Sequence, residues 1–174
     1  MKTLIFVLSL CCLALPFNLQ AGQITAGTEP ASVTEQRQLI DYFFAAARTG
    51  NTEVLDEFLS AGFPVNLQNA DSYTALMTAT YYGHAQAVDL LLTHGADACI
   101  RDKRDHTAMM GAIVKAEWSI ARTLYRIDCD TQAGQQGVKT LEEFAAVFGQ
   151  SEKLAALKQE ADSLKTGLYS SSAK

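Results

Sequence analysis

The sequence has no stripe of Lys and Arg. Its 14 basic side chains stand against 19 acidic ones, a formal net charge of −5, whereas sequence-independent nucleic-acid binding needs clustered cations that displace counterions. Arg101, Lys103 and Arg104 come close together, but Asp102 and Asp105 are interleaved with them, which reads as a solvated mixed-charge turn. A DNA or RNA partner is therefore not expected. No apolar run reaches the roughly 20 residues needed to span a bilayer. No glycine-rich phosphate loop follows a strand, and there is no nucleophile elbow. Histidine is scarce, and no two of His84, His94 and His106 have metal-ligand spacing with a Cys or a carboxylate. Glu142 and Glu143 are adjacent, so on a helix they diverge and cannot work as a paired acid and base. They fit a first helical turn, where acids favour the dipole. Gly134 and Gly137 serve a turn. No catalytic residue, metal or cofactor is expected, and the chain is not expected to be an enzyme.

What is present is an ordinary globular composition, 48% hydrophobic and 19% charged over 174 residues, one domain's worth. The N-terminus carries Lys2 and then an apolar or small-residue run from Leu4 to Leu15, ended by Pro16 and Asn18. That run has the length of a signal-peptide core. Residues 1–21 are expected to be an export signal cleaved after Ala21, with Ala26 the second choice. Cys11 and Cys12 lack the small preceding residue that a lipid anchor requires, so no stable membrane anchor is expected. Residues 22–35, polar and containing Pro30, read as a linker, and residues 167–174 as a frayed tail.

Between them the chain repeats with a period of 33 residues. Thr74, Thr107 and Thr140 are spaced by 33, and so are Ala46, Ala79, Ala112 and Ala145. Gly50, Gly83 and Gly149 keep the same register, with Ala116 in the missing place; Gly62 and Gly95, and Asn69 and Asp102, keep it too. Within one unit Thr74 suits a helix N-cap, Leu76 and Ala79 share a buried face, and Gly83 breaks the helix. A second helix follows through Ala87–Leu92, ended by Gly95 in the left-handed conformation. Such a helix pair is too small to bury its own apolar side, so the units must stack.

Asp71-Ser72-Tyr73-Thr74-Ala75-Leu76, Gly83-His84 and Leu90-Leu91-Leu92-Thr93-His94-Gly95-Ala96-Asp97 resemble the ankyrin repeat. The resemblance extends over residues 36–166. It implies an all-α solenoid of about four helix-turn-helix units (36–69, 70–102, 103–135, 136–166) joined by β-turn or hairpin-like tips. The first unit has Asp41 where the capping Thr belongs, and the third has Ala116 and Asp128 for its two glycines. The fourth reads as a polar C-terminal cap. The family's Thr-Pro-Leu-His becomes Thr-Ala-Leu-Met and Thr-Ala-Met-Met, so the usual hydrogen bonds between units are expected to be missing, with Met77 and Met110 packing in their place.

In such a solenoid the partner meets the turn tips and the exposed side of the first helices. By register the tips are Leu67–Tyr73, Ile100–His106 and Ala133–Lys139, and the helix ends are Arg48-Thr49, Tyr81-Tyr82, Val114-Lys115 and Val147-Phe148. The expected contact residues are Tyr73, Tyr81, Tyr82, Ile100, Arg101, Arg104, His106, Val114 and Lys115. Tyr81 and Tyr82 read either as binding anchors or as packing between units; Trp118 reads as packing. Cys99 and Cys129 fall across one stack, separated by roughly 6–14 Å where a bridge needs Cα atoms within about 7 Å. A disulfide and two small buried thiols both remain open.

The resemblance to short exported bacterial ankyrin proteins implies a periplasmic, or alternatively secreted, scaffold, monomeric alone, that binds and modulates one protein. Two roles fit: accessory to an antioxidant enzyme such as a haem catalase, and immunity protein against a toxin. The alternative from another class is a small-ligand or haem carrier using His106 or the Met77, Met109 and Met110 stripe.

Overall fold

Three threonines, one in each of the second, third and fourth units, start the first helices. The hydroxyl of Thr74 accepts from the Met77 amide at 3.2 Å, that of Thr107 from Met110 at 3.4 Å and that of Thr140 from Glu143 at 3.2 Å. Each satisfies a donor that has no partner within its own helix. Glu143 closes a capping box by accepting from the Thr140 amide at 2.9 Å. Asn51 caps a second helix in the same way, through the Val54 amide at 3.1 Å.

The computed structural model describes residues 33–127, 129 and 140–171. The expected signal (1–21), the linker up to residue 32, Asp128 and the Ala133–Lys139 tip lie outside the described residues. Eight helices are described: α1 Val33–Thr49, α2 Thr52–Ser60, α3 Ala75–Tyr81, α4 Ala85–Thr93, α5 Ala108–Lys115, α6 Trp118–Tyr125, α7 Leu141–Val147 and α8 Ser151–Ser171. No strand is found among the described residues. α1, α3, α5 and α7 stack side by side as one layer; α2, α4 and α6 form the other, and α8 packs on α7. No helix among them is long and apolar enough to cross a membrane.

The core lies between the layers. Phe43, Leu55, Leu76, Leu91, Ile113, Ile120 and Leu124 are fully buried, each burial favouring folding by roughly 1.5–3 kcal/mol. At one end Phe43, Phe58 and Phe63 form an aromatic cluster with ring centres 4.7–5.7 Å apart. Met77 and Met110 are buried, as apolar packing requires. Inter-unit hydrogen bonds are nonetheless present, made by other residues. His84 Nε2 lies 2.8 Å from the Arg48 carbonyl and His94 Nε2 lies 2.9 Å from Asp56. The Asp97 amide donates to Asn66 at 2.8 Å, and Gln68 Nε2 donates to the Arg101 carbonyl at 3.1 Å.

Two boundaries differ from the sequence reading. α1 begins at Val33, not near Asp41, so Asp41 lies inside the helix, exposed, and caps nothing. The linker therefore gives way to helix at residue 33. α8 continues to Ser171, into the segment read as a tail. The third unit's missing glycine is met without one: Ala116 itself adopts the left-handed conformation, φ +57°.

Candidate partner-binding face

Asn69 and Asp102, the pair that repeats at the period, build the tips. Asn69 Oδ1 accepts from the amides of Asp71 (2.9 Å) and Tyr73 (3.0 Å), while the Asn69 amide donates to the Tyr73 carbonyl at 2.9 Å. Asp102 repeats this with Arg104 and His106, each at 2.8 Å. Side chains of this length mimic a backbone turn. The left-handed residues that close the turns are Ser72 (φ +65°) and Asp105 (φ +62°). The tips are held against each other by Lys103 on Asp71 at 3.0 Å, and Gln68 spans two of them through the Ser72 and Arg101 carbonyls.

At the other end of each first helix, the register puts Arg48-Thr49, Tyr81-Tyr82, Val114-Lys115 and Val147-Phe148 in a row. Tyr81 is 47% exposed and Tyr82 52%; their rings meet edge to face with centres 5.5 Å apart. The Lys115 ammonium sits 4.8 Å above the Tyr81 ring, a cation–π contact that fixes one side of the pair and leaves the other open. Val147 and Phe148 are exposed too, and Phe148 lies 4.9 Å from the Phe144 ring.

The other expected contact residues are placed differently. Tyr73, Ile100 and Val114 are half-buried and pack against the core. His106 lies between units, its ring 5.0 Å from that of Phe144 and its Nδ1 3.6 Å from buried Asp102. Arg101 donates to the Asp105 backbone carbonyl at 2.6 Å, and Arg104 is exposed. Trp118 is half-buried against the core. The reading missed Tyr42, which is 66% exposed although its register equivalents Ala75, Ala108 and Leu141 are buried. α1 is the first described helix of the stack, so no described unit covers that side.

Of the ligands the haem reading would use, Met77, Met109 and Met110 are core residues, and His106 lies against the Phe144 ring. Among the described residues no group of His, Cys, Asp and Glu is placed to hold a metal ion. A cleft of about 210 Å³ opens beside Arg101, Met109, Met110, Tyr125 and Cys129, below the roughly 300–1,000 Å³ usual for a small-molecule site. Cys99 and Cys129 are joined in a disulfide, Cα atoms 5.1 Å apart.

The chain belongs to the ankyrin-repeat family: the family profile, three copies of the repeat, matches residues 43–134. It is similar to Protein HOS4 of Saccharomyces cerevisiae, 44% identical over 68 residues, covering 38% of this chain and 6% of that protein. Potassium channel AKT2/3 of Arabidopsis thaliana is 35% identical over 81 residues, 47% of this chain and 10% of the channel. The putative ankyrin repeat protein PA3287 of Pseudomonas aeruginosa is 36% identical over 67 residues, 38% of this chain and 39% of that protein. The matched part of this chain thus spans well under half the length of each of these relatives. Repeats of this family suggest a protein-interaction scaffold.

Proposed function

We propose that this protein is an exported, periplasmic scaffold that binds one protein partner on the ends of its first helices and modulates it without chemistry of its own. The exposed Tyr81–Tyr82 pair carries the reading. Two large aromatic side chains stand open to solvent in the middle of a row, where large amphipathic rings supply most of an interface's energy. The short apolar run after Lys2 supports export, and the likeness to the Pseudomonas protein supports a bacterial setting. Within that reading the partner is an antioxidant enzyme such as a catalase, or a toxin that the protein neutralises.

The test is a pull-down from the periplasmic fraction with tagged protein and its Tyr81→Ala/Tyr82→Ala variant, followed by mass spectrometry. One protein retained by the parent and lost by the variant is expected. Equal retention by both would move the site off this face. The captured partner then decides between the roles, by its peroxide-consuming or its toxic activity with and without the scaffold.

A further inference from the structure

The overall charge of −5 hides a sorting of the two signs by the fold. Glu53, Asp56, Glu57 and Asp89 stand exposed on α2 and α4, and Glu152 and Glu160 on α8. Arg122 holds Glu160 at 3.0 Å and Lys158 holds Glu142 at the start of α7, while Lys153 stands exposed on α8. The tips and first-helix ends are different. They carry Arg48, Arg101, Lys103, Arg104 and Lys115, and only Lys103 has a carboxylate partner, Asp71, among the described residues.

The acids interleaved with these cations in the sequence are largely drawn away in the structure. Asp102 is 5% exposed and spends one carboxylate oxygen on the Arg104 and His106 amides. Asp71 is taken by Lys103, and Arg101 bonds the backbone rather than the carboxylate of Asp105. Glu143 is held by its capping box. Asp105 stays exposed at the tip, Asp41 lies two turns back along α1, and the half-buried Glu117 carboxylate lies against Gly83 beside Tyr82.

From the proposal that this is the binding face, the geometry points to an acidic protein segment as its occupant. Its carboxylates meet Arg48, Arg101, Arg104 and Lys115, and an apolar side chain between them lies on Tyr81 and Tyr82. The first helices α3, α5 and α7 have 7–8 residues, so tips and ends are about 11 Å apart at ~1.5 Å per residue. An extended segment of about four residues, at ~3.3 Å each, spans that distance. Guanidinium groups suit the carboxylates because they bind them bidentately. A nucleic acid fits less well. Apolar side chains separate the cations, and a phosphate chain longer than the face would run within a Debye length, about 8 Å, of the acids on the outer helices.

The test selects twelve-residue peptides from a random display library on the purified protein, then measures the winners as fluorescein-labelled peptides by anisotropy. Three proteins are compared: the parent, Arg104→Glu/Lys115→Glu and Tyr81→Ala/Tyr82→Ala, each checked for folding by circular dichroism. Enriched peptides with net negative charge and a large apolar residue are expected. Their affinity should fall at least tenfold in either variant and severalfold between 50 and 300 mM NaCl. No enrichment, neutral or basic winners, or acidic winners indifferent to Arg104→Glu/Lys115→Glu would overturn the inference. So would tighter binding of a dodecathymidylate than of any peptide. Basic winners that still depend on Tyr81 and Tyr82 would sink only the acidic partner, whereas winners indifferent to the tyrosines would sink the binding face itself.

Discussion

Thr80 is fully buried at the end of α3, and its hydroxyl has no hydrogen-bond partner among the described residues. A hydroxyl withdrawn from water and left unpaired costs about 1–3 kcal/mol. Thr80→Val keeps the shape and removes the polar atom, so it should raise stability by about 1 kcal/mol, read as an increased urea midpoint at unchanged slope. Ala116 is a second strained point. A non-glycine residue in the left-handed region costs roughly 1–2 kcal/mol, and Ala116 adopts it at φ +57°. Ala116→Gly restores the glycine of the other units and should raise the melting temperature by a few degrees in a thermal scan, as expected from a gain of about 1 kcal/mol. An unchanged or lowered melting temperature would mean that the Ala116 methyl group contributes packing that outweighs the strain.

At the scale of the helices, stability comes from caps and from the contacts between consecutive units. Thr74 is buried and its hydroxyl binds the Met77 amide, so Thr74→Ala should destabilise by about 1–2 kcal/mol, measured by chemical denaturation. Gly50 is the tighter constraint. Its φ is +70°, and a Cβ placed there would come within 2.6 Å of the His84 ring. That ring bonds the Arg48 carbonyl, so Gly50→Ala should both strain the turn and loosen the second unit from the first. A loss of at least 1 kcal/mol is expected, with faster amide exchange concentrated in α1 and α2. The period-33 pattern made both features legible, because Thr and Gly recur at fixed places. It could not show that His84 of one unit packs on the glycine of the unit before it.

Over the whole stack, the disulfide is the longest-range covalent constraint described. It links residues 30 positions apart and so encloses the entire third helix pair, α5 and α6. Closing a loop of that size is worth about 3–4 kcal/mol in the chain-entropy account. Reduction, or Cys99→Ser/Cys129→Ser, should lower unfolding stability by about 2–4 kcal/mol. A thiol assay on denatured, unreduced protein whose residues 1–21 have been removed should find no free thiol. Two free thiols, or equal stability with and without reductant, would show that the bond is not formed in the protein as isolated. Cys129 lines the cleft beside Met109 and Met110, whereas the Lys115–Tyr81 contact is made at the far end of α5, so peptide binding at Tyr81 should survive reduction wherever the chain stays folded.

The sequence by itself determined the repeat, and with it the two-layer helical stack. A strict period with Thr at the caps, Gly at the breaks and apolar residues at helical spacing leaves one economical way to bury the apolar sides, which is against the next unit. It also pointed to Tyr81 and Tyr82, because register alone puts them at the end of a first helix. It did not show that α1 runs back to Val33, since Asp41 occupies the capping position and local propensity there is compatible with helix on both sides. Nor could it place Cys129, three residues out of register with Cys99 and outside any helix. Above all it listed Asp102 among the charges that neutralise Arg101 and Arg104, whereas the fold turns that carboxylate inward to hold a turn. Charge along a chain is a count; charge on a face depends on which side chains the backbone uses for its own hydrogen bonds, and only the tertiary structure decides that.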